Sequence, residues 1–518
     1  MIRLAFGLSL MFCTSTPAFA AWRVAESAHF RVYADMSADL LRRRVELLED
    51  YRNLLGRFTT AQVDDSAPKL DVYIVENISS AVPFGKIGPD VAGFYNAGDR
   101  GIAAFATKGD FGKKVLLHEY AHHHMFASTG QSYPGWYVEG FAEYFMTATF
   151  YPTRVDFGGF DLGRAYALSR PWLPWDRVIG RDNSRMSSDD TQMFYAQSWL
   201  LTHYLFRAPG MREKLNAHLL AVAGGTDPLA AFKAHVLPAT NTLHGTLKAY
   251  TAKLTFSRLT RKAPKPVAVS VRDLPASAGD VLMFYAWLDN RGGVAKDGKA
   301  ALARVQAATA RYPDDGLATR TLAMAEVYWG DAEKAGTLLD GLLKAAPDDA
   351  EVLRLKAEVL LKIDATAKRS EARRLLVQAV RAAPADWRAM HIYVHTQDLL
   401  NVEMGENLSN LVQRMWELAP QVDGIAIDMA TVLVRKGRAA DAAKVLEPAA
   451  FAPHGGNVAA FAGRLRDAAL AGDAAAYGRV LTGGPPKEPD EAAKDKAALP
   501  AGGPWPSGKF HDHRIHRQ

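Results

Sequence analysis

His118-Glu119-Tyr120-Ala121-His122 sets two imidazoles four positions apart. No Pro or Gly interrupts Lys113 to Thr129, and Val115 to Leu117 lead into the pair. The spacing predicts a helix with both histidines on one face, about 40° apart. Imidazoles one turn apart can share a metal ion, and Glu119 flanks their face, where it can hold a water without ligating the metal. Zinc then needs a third protein donor and an open fourth position. Glu139 is the candidate. Pro134 to Thr149 reads as a second helix, with Pro near its start and Val138, Phe141, Ala142 and Phe145 as its apolar residues. Glu143, one turn beyond Glu139, is placed to accept a hydrogen bond from the far nitrogen of a ligating histidine and fix its tautomer. His123 and His124 complete a three-histidine run but fall off the ligand face, so they read as supporting or surface residues. Two solvated helix histidines would be the plain alternative, and the second helix with its two carboxylates argues against it.

The elements around this pair are legible in part. Phe30, Val32 and Ala34 alternate within a strand over His29 to Ala34, Ala38 to Phe58 forms an amphipathic helix, and Leu70 to Val75 forms a second strand. Val91 to Tyr95 and Gly101 to Ala106 flank the turn-rich Asn96 to Arg100 as a hairpin just before the metal helix. Trp172 to Ile179 reads as a loop, Thr191 to Arg207 as a helix, and Ala231 to Val236 and Leu243 to Leu254 as short helices. Between Arg261 and Ala278 the composition shifts to Pro, Lys, Val and Ser, as in a linker.

Beyond that point Pro313, Pro347, Pro384, Pro420 and Pro453 recur at intervals of 34, 37, 36 and 33 residues, each after an Ala- and Leu-rich helical pattern. Ala301, Val305 and Ala308 in one unit correspond to Ala372, Leu376 and Ala379 in another. A period near 34 with this pattern is that of a tetratricopeptide array, in which each repeat buries its face against its neighbours.

At the other end, Arg3, the apolar Leu4 to Phe12 and the small-x-small Ala18-Phe19-Ala20 read as a secretory signal peptide cut after Ala20. The only cysteine, Cys13, falls inside it, leaving no thiol or disulfide to the mature chain. The expected location is secreted and periplasmic. No later apolar run is long enough for an integral membrane span. A net charge of +6 over 518 residues, without a basic cluster, argues against a nucleic-acid partner. From Gly483 onward Pro, Gly, Lys, Glu and Asp dominate, and His511, His513 and His516 sit in a tail expected to be disordered.

HEYAH followed by GWYVEGFAEYF resembles the gluzincin branch of zinc metallopeptidases, whose second motif reads W-x-x-E-G-x-A-E-Y. The likeness is specific over Val115 to Phe145. It implies Zn2+ as cofactor, His118, His122 and Glu139 as ligands, and Glu119 as general base. Such enzymes supply a Tyr or His from a downstream helix to steady the oxyanion, which suggests Tyr195 as a catalytic residue, with His203 second. An aromatic packed in a helix interface is the other reading of Tyr195. In that group a strand before the metal helix borders the cleft, a role the hairpin would fill unless it is an ordinary hairpin. Sixteen residues separate His122 from Glu139, a shorter interval than aminopeptidases of the group usually have, and no G-x-M-E-N segment precedes the helix. Exopeptidase specificity is therefore not implied. The chain is more similar to bacterial peptidase-MA-like domains joined to tetratricopeptide repeats.

The expected architecture is an α+β zincin-like metallopeptidase domain followed by an all-α tetratricopeptide-like solenoid. Its divisions are a signal peptide (1–20), the zincin-like domain (21–260), a linker (261–278), the repeats (279–482) and the tail (483–518). The expected partners are a peptide or protein substrate at the metal and a protein partner on the repeats. Two other readings use the same residues: an envelope scaffold acting through its repeats with the zincin fold as a docking module, and hydrolysis of a non-peptide amide. The intact Glu119 favours chemistry over scaffold, because a metal held only for stability needs no base beside it.

Overall fold

The computed structural model describes residues 22–59, 67–87, 91–127, 132–180, 186–237, 239–452 and 456–485. The expected signal peptide with Cys13, Pro453 and the histidines of the tail lie outside the described residues.

The chain begins β1 (Trp22–Glu26), β2 (Phe30–Asp35), α1 (Ala38–Leu55), β3 (Leu70–Val75), β4 (Gly93–Gly98), β5 (Gly101–Thr107), α2 (Gly109–Phe126) and α3 (Gly135–Phe145). It continues β6 (Thr149–Tyr151), β7 (Arg154–Phe157), α4 (Leu162–Ala167), α5 (Trp175–Ile179), α6 (Ser188–Arg207), α7 (Met211–Ala223), α8 (Pro228–His235), α9 (Leu243–Thr251), β8 (Ser257–Thr260) and β9 (Ser270–Asp273). Six strands form a mixed sheet in the order β4-β5-β3-β2-β1-β9, and β6-β7-β8 form a small antiparallel sheet. β2, β3 and β5 are parallel, with α1 as the crossover between the first two, and the other neighbours are antiparallel. Ser37 caps α1, its side chain accepting from the Leu40 amide.

Strand alternation sends two sets of side chains to opposite faces of the large sheet. Phe30, Val32, Ala34, Val72, Ile74, Ala104 and Ala106 join the core with α1, α2, α3 and α6. Tyr33, Tyr73, Val75, Ala103 and Phe105 face the other way, and that face is closed by Ala278, Leu282, Ala286 and Trp287 of α10 (Ala278–Arg291). The first helix after the expected linker thus completes the core of the α/β region. Leu282 is 2 % exposed, so Leu282→Ala should cost about 3 kcal/mol in urea unfolding of the whole chain.

From α10 the described residues form helices and their connections. α11 (Gly298–Thr309), α12 (Gly316–Trp329), α13 (Ala332–Ala345), α14 (Ala350–Asp364), α15 (Arg369–Ala382), α16 (Trp387–His395), α17 (Glu406–Leu418), α18 (Asp423–Arg435), α19 (Ala439–Ala450), α20 (Gly456–Leu470) and α21 (Ala474–Gly483) follow. They form successive pairs, and Pro313, Pro347, Pro384 and Pro420 each stand between one pair and the next. Ala301, Val305 and Ala308 are buried on α11, as are Ala372, Leu376 and Ala379 on α15. No helix of the described residues is long and apolar enough to cross a membrane.

Several expectations are corrected. The 261–278 segment is not simply a linker: Ser270–Asp273 pairs antiparallel with β1, and Arg23 meets Asp273 at 2.6 Å. Its four-residue strand has no strong pattern of its own and forms because β1 offers an open edge. Trp175–Ile179 is a helix rather than loop, held by burial of Trp175, Val178 and Ile179. α2 starts at Gly109 and ends at Phe126, and α6 starts at Ser188 rather than Thr191, since Ser187 caps it by accepting from the Asp190 amide. β1, the small sheet, α4 and α7 were not expected, being short or weakly patterned.

Candidate metal centre

α2 and α3 bring His118, His122 and Glu139 together. The two Nε2 atoms stand 3.0 Å apart, and each lies 3.5 Å from Glu139 Oε2. A tetrahedral ion with bonds of about 2.05 Å places its ligand atoms about 3.3 Å from one another. The triangle therefore fits zinc in size as well as in donor type. Charge fits too: Arg164 balances Glu143, which leaves Glu119 and Glu139 for a dication. His118, Glu119, His122, Glu139 and Glu143 are all buried, with His122 the most exposed at 4 %.

The close approach of α3 to its neighbours is set by Gly140. A Cβ there would fall 2.1 Å from Thr202 Oγ1 and 2.4 Å from the Ser198 carbonyl, so only glycine lets α3 lie this tightly on α6. That packing brings Tyr195, on α6, to the carboxylates. After burial, Glu139 has the largest influence on the Tyr195 hydroxyl, and the two raise its pKa well above the usual value. Arg164 lies over the Tyr195 ring with its guanidinium carbon 5.2 Å from the ring centre.

Glu143 Oε1 lies 3.4 Å from His118 Nδ1, on the far side of the ring from Glu139. The two groups are thus brought side by side, and the structure adds what holds Glu143. Arg164 of α4 grips Glu143 with two bonds, Nε to Oε2 at 2.7 Å and Nη2 to Oε1 at 2.5 Å, and donates a third to Gln192 Oε1 at 2.8 Å. Burial opposes the charge on Arg164, but Glu143, with Tyr195 and Glu139 adding to it, holds the guanidinium pKa above its usual value. Sequence reasoning missed Arg164. Its only trace was the need of a buried α3 carboxylate for a cation, and Arg154, Arg164 and Arg170 all follow within reach of that need.

The edge strand β4 lies beside Glu119, and the Tyr95 backbone amide favours the charged form of its carboxylate. Burial is the largest influence on Glu119; His118 opposes it, Glu139 adds to it, and the carboxyl is pushed up to about 8. In the metal-free chain the folded state therefore keeps a proton that the unfolded state, with a value near 4.5, releases. Stability from this group is complete below pH 4.5 and is lost as pH rises through 8. Glu119→Gln removes the loss. In urea melts of metal-stripped chain the variant should gain on wild type steadily as pH is raised from about 5 to about 9.

The remaining histidines are placed elsewhere. His123 Nδ1 lies 3.0 Å from the Tyr95 hydroxyl, and His124 Nε2 lies 2.9 Å from Thr59 Oγ1. Burial lowers their pKa values to about 3 and about 4. His203, the second residue considered for the oxyanion, is engaged by the Tyr250 hydroxyl at 2.9 Å and the Thr255 carbonyl at 2.8 Å, contacts that pack α6 against α9 and the segment after it.

No family model matches the chain and no curated protein matches it.

Proposed function

We propose that the chain is a zinc-dependent hydrolase of peptide bonds, with a zincin-like domain and a tetratricopeptide-like array that binds a protein partner or presents substrate. The observation that carries this reading is the convergence of His118 Nε2, His122 Nε2 and Glu139 Oε2 with Glu119 beside them. His118, His122 and Glu139 would hold the ion. When bound, zinc supplies Lewis acidity and lowers the pKa of a water.

Glu119 takes the proton of the attacking water and passes it to the leaving nitrogen. Glu143 holds the Nδ1 side of His118, keeping Nε2 free of its proton and aimed at the triangle, and Arg164 holds Glu143. Tyr195 donates to the oxyanion that develops on the former carbonyl. The open edge of β4 would pair with an extended substrate backbone running past Glu119. The expected secretory segment supports a periplasmic location.

Tyr195→Phe is expected to lower kcat about 100-fold while leaving zinc affinity and KM nearly unchanged. The reading as a whole is tested by incubating the chain with a peptide library. Cleavage should stop on chelation and return with zinc; a library left intact by the zinc-loaded chain would count against peptide-bond hydrolysis.

A further inference from the structure

A second cluster lies in the helical array. His391 and His395 stand one turn apart on α16, and Asp428 faces them from α18. His391 Nε2 lies 3.4 Å and His395 Nε2 3.1 Å from the same oxygen, Asp428 Oδ2. The imidazole rings cross at 86° with centroids 4.3 Å apart, close to the 86° and 4.6 Å of His118 and His122. We propose that His391, His395 and Asp428 form a second divalent-cation site, of zinc type, that pins α16 to α18 where the array meets the β4–β5 turn.

The donor set is two imidazoles and one carboxylate with ligand atoms within 4.8 Å of one another, the same kind of triad that α2 and α3 build. Imidazole nitrogen with a carboxylate selects zinc and its neighbours over calcium or magnesium. His391 and Asp428 are buried, whereas the His395 side chain is 31 % exposed, which gives an ion a way in and a water-filled fourth position. The residue after His391 is Ile392, where the other helix has Glu119. With no base beside it, this ion would serve structure and docking rather than hydrolysis.

The place gives the site its consequence. Asp99, in the turn between β4 and β5, stands against Gly424 at the start of α18: a Cβ on Gly424 would fall 2.3 Å from Asp99 Oδ1. Asp99 also acts electrostatically on His395. A dication held by α16 and α18 would strengthen that attraction and hold the array on the turn of the hairpin whose first strand borders Glu119.

The test is a zinc titration of metal-stripped full chain against a competing chromophoric chelator, with His395→Gln and, separately, Asp428→Asn. Asp428→Asn is isosteric and His395 is partly exposed, so folding should survive. Each variant is expected to bind one zinc fewer per chain than wild type, the remaining site keeping its affinity within about threefold. In the Glu139→Gln background, zinc should still raise Tm by about 3 °C or more, and the rise should vanish when His395→Gln is added. Unchanged zinc stoichiometry in both variants, or a zinc-dependent Tm rise that survives His395→Gln in that background, would overturn the site. Because that background disables the α2–α3 triad, the outcome is independent of whether the triad is hydrolytic.

Discussion

Glu119→Gln is expected to reduce peptide hydrolysis about 1,000-fold or more with no loss of bound zinc, since a positioned general base contributes about 100- to 10,000-fold. Gln keeps the length and shape of Glu but cannot accept the water's proton. Glu119 lies between the two histidines in sequence yet outside the triangle of donors, so the ligands are untouched by the change. Its buried setting is what a base needs, because burial raises the carboxylate's affinity for a proton. The paired readout matters. Turnover lost with zinc retained identifies a base; turnover and zinc lost together would indicate collapse of the centre. A variant as active as wild type would remove the hydrolytic reading and move the function to the array.

Arg164→Met should destabilise the chain by about 3–5 kcal/mol, because it leaves Glu143 charged and uncompensated in the interior. Glu143 is fully buried and Arg164 is 4 % exposed, so solvent does little to soften the loss. Zinc affinity should fall about 10- to 100-fold as the support behind His118 loosens. The two effects can be separated. Adding Glu143→Leu removes the orphaned charge and should restore most of the stability seen in urea melts, since an apolar pair often replaces a buried ion pair at little cost. It should not restore zinc affinity, because His118 Nδ1 then lacks its carboxylate. Recovery of both together would mean that Glu143 acts only through folding.

The centre was legible because its parts obey local rules. Two histidines at helical spacing share a face, and Glu139 and Glu143 repeat the spacing on a helix of their own. What was not legible arrives through tertiary packing. Arg164 sits on a six-residue helix with no periodicity to mark it, and Tyr95 reaches Glu119 through its backbone, which no side-chain pattern records. His391 and His395 show the same i, i+4 spacing as the first pair, but the carboxylate that completes them comes from a helix 33 residues further along the chain. The long periodic elements were read nearly to their ends: Leu70–Val75 is a strand as expected, and α1 stops three residues short because Gly56 follows Leu55. Ser270–Asp273 was missed for the opposite reason, as its strand is imposed by β1. The role of α10 in closing the sheet was hidden because its apolar face looks like that of any later helix; only Tyr33, Tyr73 and Phe105 on the far side of β2, β3 and β5 reveal a face that needs cover.

The most direct measurement is the zinc content of the purified full chain beside His118→Ala and Glu139→Ala, after reconstitution and removal of loosely bound metal. Each variant is expected to hold one zinc fewer per chain than wild type. Zinc content unchanged by both substitutions would contradict the proposed centre, because it would mean that the triangle formed by α2 and α3 binds no metal.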